Sequence, residues 1–329
     1  MKVLLIGVDF KNINLALAKL STYHKSLGNS VSLIKLNFNG YPSKRFKNIN
    51  ASMFDIVYVS QLFECNTNNY KVVDCNNIIY GGVGLNNNQL PLHIDSLDLD
   101  YSLFDVDKSY GYITKGCIRN CWFCKVPKHE GYIRLYSTID KIKKHKEVIL
   151  FDNNILGFYG HMQILEDLVN IRIRLQFNQG LDIRLLNDEN ALLISKLNHI
   201  GELIFAFDDV KDEKLINSKL NLLKKYVKKD WKIKFYIYHN DKAYTLFDTL
   251  HRVDWCRKNK VLPYLMRDQN CFKGLNKDFL TDMAAYCNQP SFFKTNTFEE
   301  FLCKRHKNID RITKSLKQYN DHLESEGKQ

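Results

Sequence analysis

From residue 110 onward the sequence repeats one pattern. A short run of β-branched and aromatic residues is followed by a stretch with apolar residues at helical spacing. The strand-like runs are 110–113, 148–151, 173–177, 203–207, 233–238 and 261–266, and helix-like stretches lie between them at 137–144, 161–169, 188–198, 211–228 and 241–258. Six strands alternating with helices predict an α/β architecture with parallel pairing through crossover connections, as an open sheet or as a partial (βα)6 barrel. Segments 276–287 and 297–324 predict helices that pack as a C-terminal cap or tail.

The first third carries the same rhythm on a smaller scale. Strand-like runs at 2–8, 31–36, 56–59 and 78–80 flank a helical pattern, Leu15, Leu17, Ala18, Leu20, Tyr23 and Leu27, that stops at Gly28. This order predicts a doubly wound, Rossmann-like N-terminal domain. Residues 86–107 lack periodicity and are expected to be the linker. The expected division is therefore 1–105, a Rossmann-like domain with its linker; 106–270, the βα series; and 271–329, the helical extension.

At 329 residues with 45% hydrophobic and 26% charged content, the chain has the composition of a folded globular protein. No apolar run reaches the roughly 18–20 residues needed to span a bilayer, and the apolar stretch after Met1 is too short for a signal peptide. A cytoplasmic protein with no membrane partner is the expectation. Nine cysteines in such a chain are expected to be thiols or metal ligands rather than a disulfide framework.

Three of them lie together in Gly116-Cys117-Ile118-Arg119-Asn120-Cys121-Trp122-Phe123-Cys124, just after the first strand of the six-fold series. Spacings of three and two let three thiolates converge on one soft metal centre. On a 4Fe–4S cluster, three protein ligands leave one iron open. His129, five positions beyond Cys124, offers a fourth ligand for a closed Cys3His zinc site. The position at the carboxyl end of a strand in a βα series, where ligands bind, favours the iron–sulfur reading.

Cys-x3-Cys-x2-Cys, with an aromatic (Phe123) before the third cysteine and a partial βα barrel following, resembles the radical S-adenosylmethionine (radical SAM) superfamily. The resemblance covers roughly residues 110–267. It implies that Cys117, Cys121 and Cys124 hold a 4Fe–4S cluster whose open iron binds the amino and carboxylate groups of S-adenosyl-L-methionine. Reductive cleavage would give methionine and a 5′-deoxyadenosyl radical that abstracts hydrogen from a substrate. Asp152, Asn153 and Asn154 stand where the family has a Gly-Gly-Glu-like stretch contacting the methionine amino group; the glycines are missing here. Asp182 is placed for ribose hydroxyls and Arg184 for the methionine carboxylate, against a helix-start aspartate and a surface arginine as the plain alternative. Asp208, Asp209, Arg267 and Asp268 end later strands and are candidates for the substrate mouth. His239 follows the fifth strand and reads as a loop residue. Cys65, Cys75, Cys256, Cys271, Cys287 and Cys303 form no close pair and read as buried or idle thiols.

In some radical enzymes a doubly wound N-terminal domain binds cobalamin. Residues 2–84 are similar in strand order, with Gly81, Gly82 and Gly84 as a phosphate-cradling or backbone-approach loop, but the Asp-x-His-x-x-Gly signature is absent. A cobalamin-dependent radical methyltransferase is thus one alternative. A Cys3His zinc protein that binds nucleic acid is the non-enzyme alternative.

The net charge of +12 is uneven. Residues 1–105 carry +1, residues 115–146 carry +7 and residues 211–234 carry +6. The first cluster flanks the cysteine loop, where positive potential favours an anionic substrate, nucleic acid included, or an acidic reductant such as flavodoxin or ferredoxin. The second lies on a helix and reads as a solvated lysine face.

Overall fold

The computed structural model describes residues 1–38, 44–86 and 88–326. The chain is mixed α/β with parallel sheets. It forms two compact units: Met1–Tyr132 with Tyr136–Ile149, and Ile133–Leu135 with Leu150–Gln329. The first unit thus runs past residue 105 and includes the cysteine loop, while the C-terminal helices belong to the second.

In the first unit the elements are β1 (Lys2–Val8), α1 (Leu15–Ser26), β2 (Ser30–Leu36), β3 (Lys47–Asn50), β4 (Ile56–Gln61), β5 (Tyr70–Val73), β6 (Ile78–Gly81), α2 (Leu92–Asp95), β7 (Ser109–Gly111), β8 (Thr114–Lys115), α3 (Val126–His129) and α4 (Ile139–Ile142). The main sheet has the order β2-β1-β4-β6, all parallel. β1 is paired on both edges and buries Val3, Leu4, Leu5, Ile6 and Val8, which explains its unbroken apolar run. Asn14 caps α1 by accepting from Leu17 N, and Gly28 (φ +75°) follows its end. β3 and β5, unexpected from the sequence, pair as a separate parallel ribbon.

Within the stretch expected to be the linker, Asp95, Asp100 and Phe104 are anchored. Asp95 on α2 accepts from Lys19 Nζ and Tyr136 Oη, Asp100 accepts from Ser21 Oγ, and Phe104 packs edge-on against Phe10. These anchors are long-range, so no local periodicity announces them. The helix expected at 137–144 is the single turn α4, because Lys143 already has an extended backbone.

Strand β10 (Glu147–Leu150) begins in the first unit, where β7 is its sheet neighbour, and ends at Leu150 in the second; the two-residue β9 (Arg134–Leu135) is counted with the second. The second unit continues with α5 (His161–Ile171), β11 (Arg174–Phe177), α6 (Asp188–Lys196), β12 (Asn198–His199), β13 (Leu203–Ala206), α7 (Glu213–Lys224), β14 (Ile233–His239), α8 (Leu246–Lys258) and β15 (Leu262–Arg267). All six strands expected in the βα series are present. Leu150 O accepts from Asn178 N just after β11, Leu181 bridges Phe205 of β13, and β13-β14-β15 form a parallel sheet. β14 alternates buried and half-buried positions, and its Phe235 packs with Phe207 against Trp255 of α8 at centroid distances of 5.1 and 5.0 Å.

The C-terminal helices are α9 (Lys277–Cys287), α10 (Pro290–Thr295), α11 (Phe298–Arg305) and α12 (Ile309–Glu326). The expected helix at 297–324 is therefore two, broken after α11. The fully buried Asp282 explains the break: it accepts from Arg305, His306 and Arg311, drawing the segment between the helices inward. Among the described residues, no helix is long and apolar enough to cross a membrane.

Candidate functional site

The cysteine loop begins where β8 ends. Gly116 has φ +89°, and a Cβ there would lie 2.5 Å from Tyr132 O and 2.6 Å from Gly131 O. Only glycine fits, and this close approach lets Cys117 N donate to Gly131 O at 3.2 Å, closing the base of the loop. Cys124 N donates to Cys121 O at 3.0 Å and makes the turn between the last two cysteines.

The sulfurs of Cys117 and Cys124 accept backbone hydrogen bonds. Arg119 N donates to Cys117 Sγ at 3.3 Å and Val126 N to Cys124 Sγ at 3.4 Å. A metal-bound cysteine sulfur accepts hydrogen bonds, so these contacts are compatible with ligation. All three cysteines are half-buried and outside any disulfide. Phe123 is half-buried and meets the largely exposed Trp122 edge-on at 5.5 Å. His129 ends the single-turn α3, and its carbonyl accepts from Gln89 Nε2.

The surrounding basic residues divide into two groups. Lys115 Nζ lies 3.9 Å from the centroid of the Tyr136 ring, and Lys144 pairs with Asp98 at 3.0 Å. Lys125, Lys128, Lys143 and Lys146 are exposed. In the second cluster, Lys219 and Lys224 of α7 donate to the Leu186 and Asn259 carbonyls, while the helix buries Ile216, Leu220 and Leu223. Lys211, Lys214, Lys225, Lys228 and Lys229 are exposed, as a solvated lysine face requires, whereas Lys219 and Lys224 are half-buried.

The other expected residues lie in the second unit, at the carboxyl ends of its strands. Asp152 and Asn154, just past β10, are buried, with Asn153 half-buried between them. Asp182 follows β11 and caps a short 3₁₀ turn by accepting from Arg184 N. The Arg184 guanidinium then donates to Asp182 at 2.8 Å and to Asp212 at 2.7 Å. A ligand carboxylate at Arg184 would share the five-donor guanidinium with these two aspartates.

Asp208, after β13, has a perturbed carboxyl. Burial pushes its carboxyl up to about 6, against the pull of Arg252 and Arg184. Arg252 of α8 is fully buried and donates to the carbonyls of Phe207, Asp208, Tyr238 and Asp248. It ties the ends of β13 and β14 together. Arg267 stacks over Phe272 and donates to Thr281, and Asp268 accepts from Tyr238 Oη at 3.1 Å.

One grouping escapes sequence reading. His239, Asp241 and Cys271 bring a ring nitrogen, a carboxylate oxygen and a sulfur all within 4.8 Å of one another. The pairing of β14 with β15 sets His239 opposite Arg267, and Asp268 N donates to His239 O at 2.9 Å. That register draws Cys271, 32 residues away in sequence, onto His239; neither segment carries a local motif.

In the first unit, the glycine loop after β6 is a site of backbone approach. A Cβ on Gly82 would lie 2.4 Å from Gln61 O, and one on Gly84 2.9 Å from the Leu62 and Phe63 backbone. His24 is buried and bonded to Tyr58 and Asn29.

No protein-family model matches the chain, and no curated protein matches it.

Proposed function

We propose that the chain is a radical SAM enzyme, with a Rossmann-like first domain, a partial (βα)6 barrel and a helical cap, working in the cytoplasm. The observation that carries this reading is the loop of Cys117, Cys121 and Cys124, rooted just beyond the first strand of six in a βα series. Three soft donors fit a 4Fe–4S cluster, and the backbone N–H groups aimed at two of the sulfurs suit bound thiolates. When bound, such a cluster supplies the electron for reductive cleavage of S-adenosylmethionine.

The chain's own contribution is to hold and orient. Phe123, half-buried and next to Cys124 in sequence, offers an apolar ring near the cluster. Asp152, Asn153 and Asn154 offer acceptors to an ammonium group, and Asp182 offers a carboxylate to ribose hydroxyls. Arg184, braced by Asp182 and Asp212, offers its guanidinium to a carboxylate. The exposed Lys125 and Lys128 supply positive potential to an anionic substrate or an acidic reductant such as flavodoxin or ferredoxin. The doubly wound sheet is assigned no cofactor, because Gly82 and Gly84 are accounted for by backbone packing.

Anaerobic reconstitution with iron and sulfide tests the loop. The expected product carries about four irons per chain and a broad thiolate-to-iron absorption near ~400 nm, both lost in Cys121→Ala. Stoichiometric zinc with no iron-dependent absorption contradicts the proposal and favours the Cys3His alternative.

A further inference from the structure

We propose that His239, Asp241 and Cys271 form a second metal site in the second unit, one that takes a divalent transition ion of the zinc class. It is independent of the cysteine loop and of the chemistry proposed for it.

The geometry is that of a three-donor site. His239 is the last residue of β14, Asp241 lies in the loop that follows, and Cys271 lies in the short 3₁₀ turn after β15. His239 and Cys271 are 1% and 0% exposed, whereas the Asp241 side chain is 29% exposed. Their ligand atoms all lie within 4.8 Å of one another, and ligands of a tetrahedral zinc ion lie roughly 3–4 Å apart. Small side-chain adjustments therefore close the set. One imidazole, one carboxylate and one thiolate carry two negative charges, which a divalent cation neutralises in a largely dry setting.

Hydrogen bonding around the imidazole points the same way. Nδ1 of His239 lies 2.6 Å from Thr249 Oγ1. That hydroxyl accepts from Arg252 at 3.2 Å and donates to Thr245 O at 3.4 Å. Thr249 thus fixes the ring through Nδ1, and a histidine whose Nδ1 donates to this hydroxyl presents Nε2 toward Asp241 Oδ1, 3.1 Å away. In the metal-free chain a proton on Nε2 bridges the two atoms, and a bound divalent ion takes that proton's place. A ligating histidine whose other nitrogen donates to a fixed acceptor is the usual outer-shell arrangement at zinc.

The remaining donors are also held in place. A Cβ on Gly274 would lie 2.6 Å from Asp241 Oδ2, so only glycine leaves room for this carboxylate position. Cys271 Sγ sits 3.7 Å from His239 O as a thiol and gives up its proton to solvent when the ion binds. Three protein donors leave a fourth position for water or a substrate donor, on the side where Asp241 reaches the surface.

The test uses the full chain carrying Cys117→Ser, Cys121→Ser and Cys124→Ser, so that the loop cannot contribute thiolates. Titration with Co²⁺ is expected to give about one equivalent bound, with thiolate-to-cobalt charge-transfer absorption, displaced by Zn²⁺. Adding Cys271→Ser abolishes that absorption, and adding Asp241→Asn weakens Co²⁺ binding at least tenfold. No charge-transfer band, or a band unchanged by Cys271→Ser, overturns the proposal. If the triple variant loses its folded circular dichroism, zinc is measured in the otherwise unaltered chain. There Asp241→Asn is expected to remove one equivalent, and an unchanged zinc content overturns the proposal.

Discussion

Gly116 and Tyr132 approach so closely that a Cβ on Gly116 would lie 2.5 Å from the Tyr132 carbonyl oxygen. With φ at +89°, any other residue strains the backbone as well as the contact. Gly116→Ala is expected to displace the base of the cysteine loop and cut reconstituted iron by at least half. Gly28→Ala, where φ is +75° but nothing lies within 4 Å, serves as the control. It is expected to cost about 1 kcal/mol of stability and leave iron content unchanged.

Arg252 gives a prediction about the strand ends. Its guanidinium is fully buried and serves four carbonyls. Arg252→Met keeps the apolar stem but leaves those acceptors without their donor. A loss of about 3–5 kcal/mol is expected by urea unfolding. A loss below about 1 kcal/mol would show that the guanidinium does not hold β13 to β14.

Asp208 and His199 have opposite effects on stability in acid. The Asp208 carboxyl is raised from 3.8 to about 6, so the folded state holds a proton that the unfolded chain has released. Its contribution is therefore present below pH 4 and lost as pH rises through 6. Burial lowers His199 from 6.5 to about 4, so its contribution is present above pH 6.5 and lost as pH falls through 4. Each is worth on the order of 2–3 kcal/mol. Relative to wild type, Asp208→Asn is expected to gain stability as pH rises from 4 to 6, and His199→Gln to lose it. Urea titrations across this range check both signs; parallel profiles for all three proteins contradict the assignment.

The sequence made the regular part of the fold legible and left the irregular part hidden. Runs such as 233–238 declare themselves because they are rich in β-branched and aromatic residues and bounded by helical spacing. β3, reading Lys-Asn-Ile-Asn, is too short and polar to stand out, and pairing with β5 alone makes it a strand. The anchoring of Asp95 and Asp100 rests on Lys19–Asp95 and Ser21–Asp100, pairs more than seventy positions apart. The same contrast governs the sites. Cys117, Cys121 and Cys124 are contiguous, so spacing exposes them. His239 and Cys271 meet through strand register, and each reads as idle on its own.

Cleavage of S-adenosylmethionine is the central claim, and 5′-deoxyadenosine is its most direct measure. The reconstituted chain, reduced with dithionite under anaerobic conditions, is incubated with S-adenosylmethionine and the products are quantified by mass. The account predicts 5′-deoxyadenosine and methionine in equal amounts, with both abolished in Cys121→Ala. A reduced chain that carries four irons and forms no 5′-deoxyadenosine would contradict it.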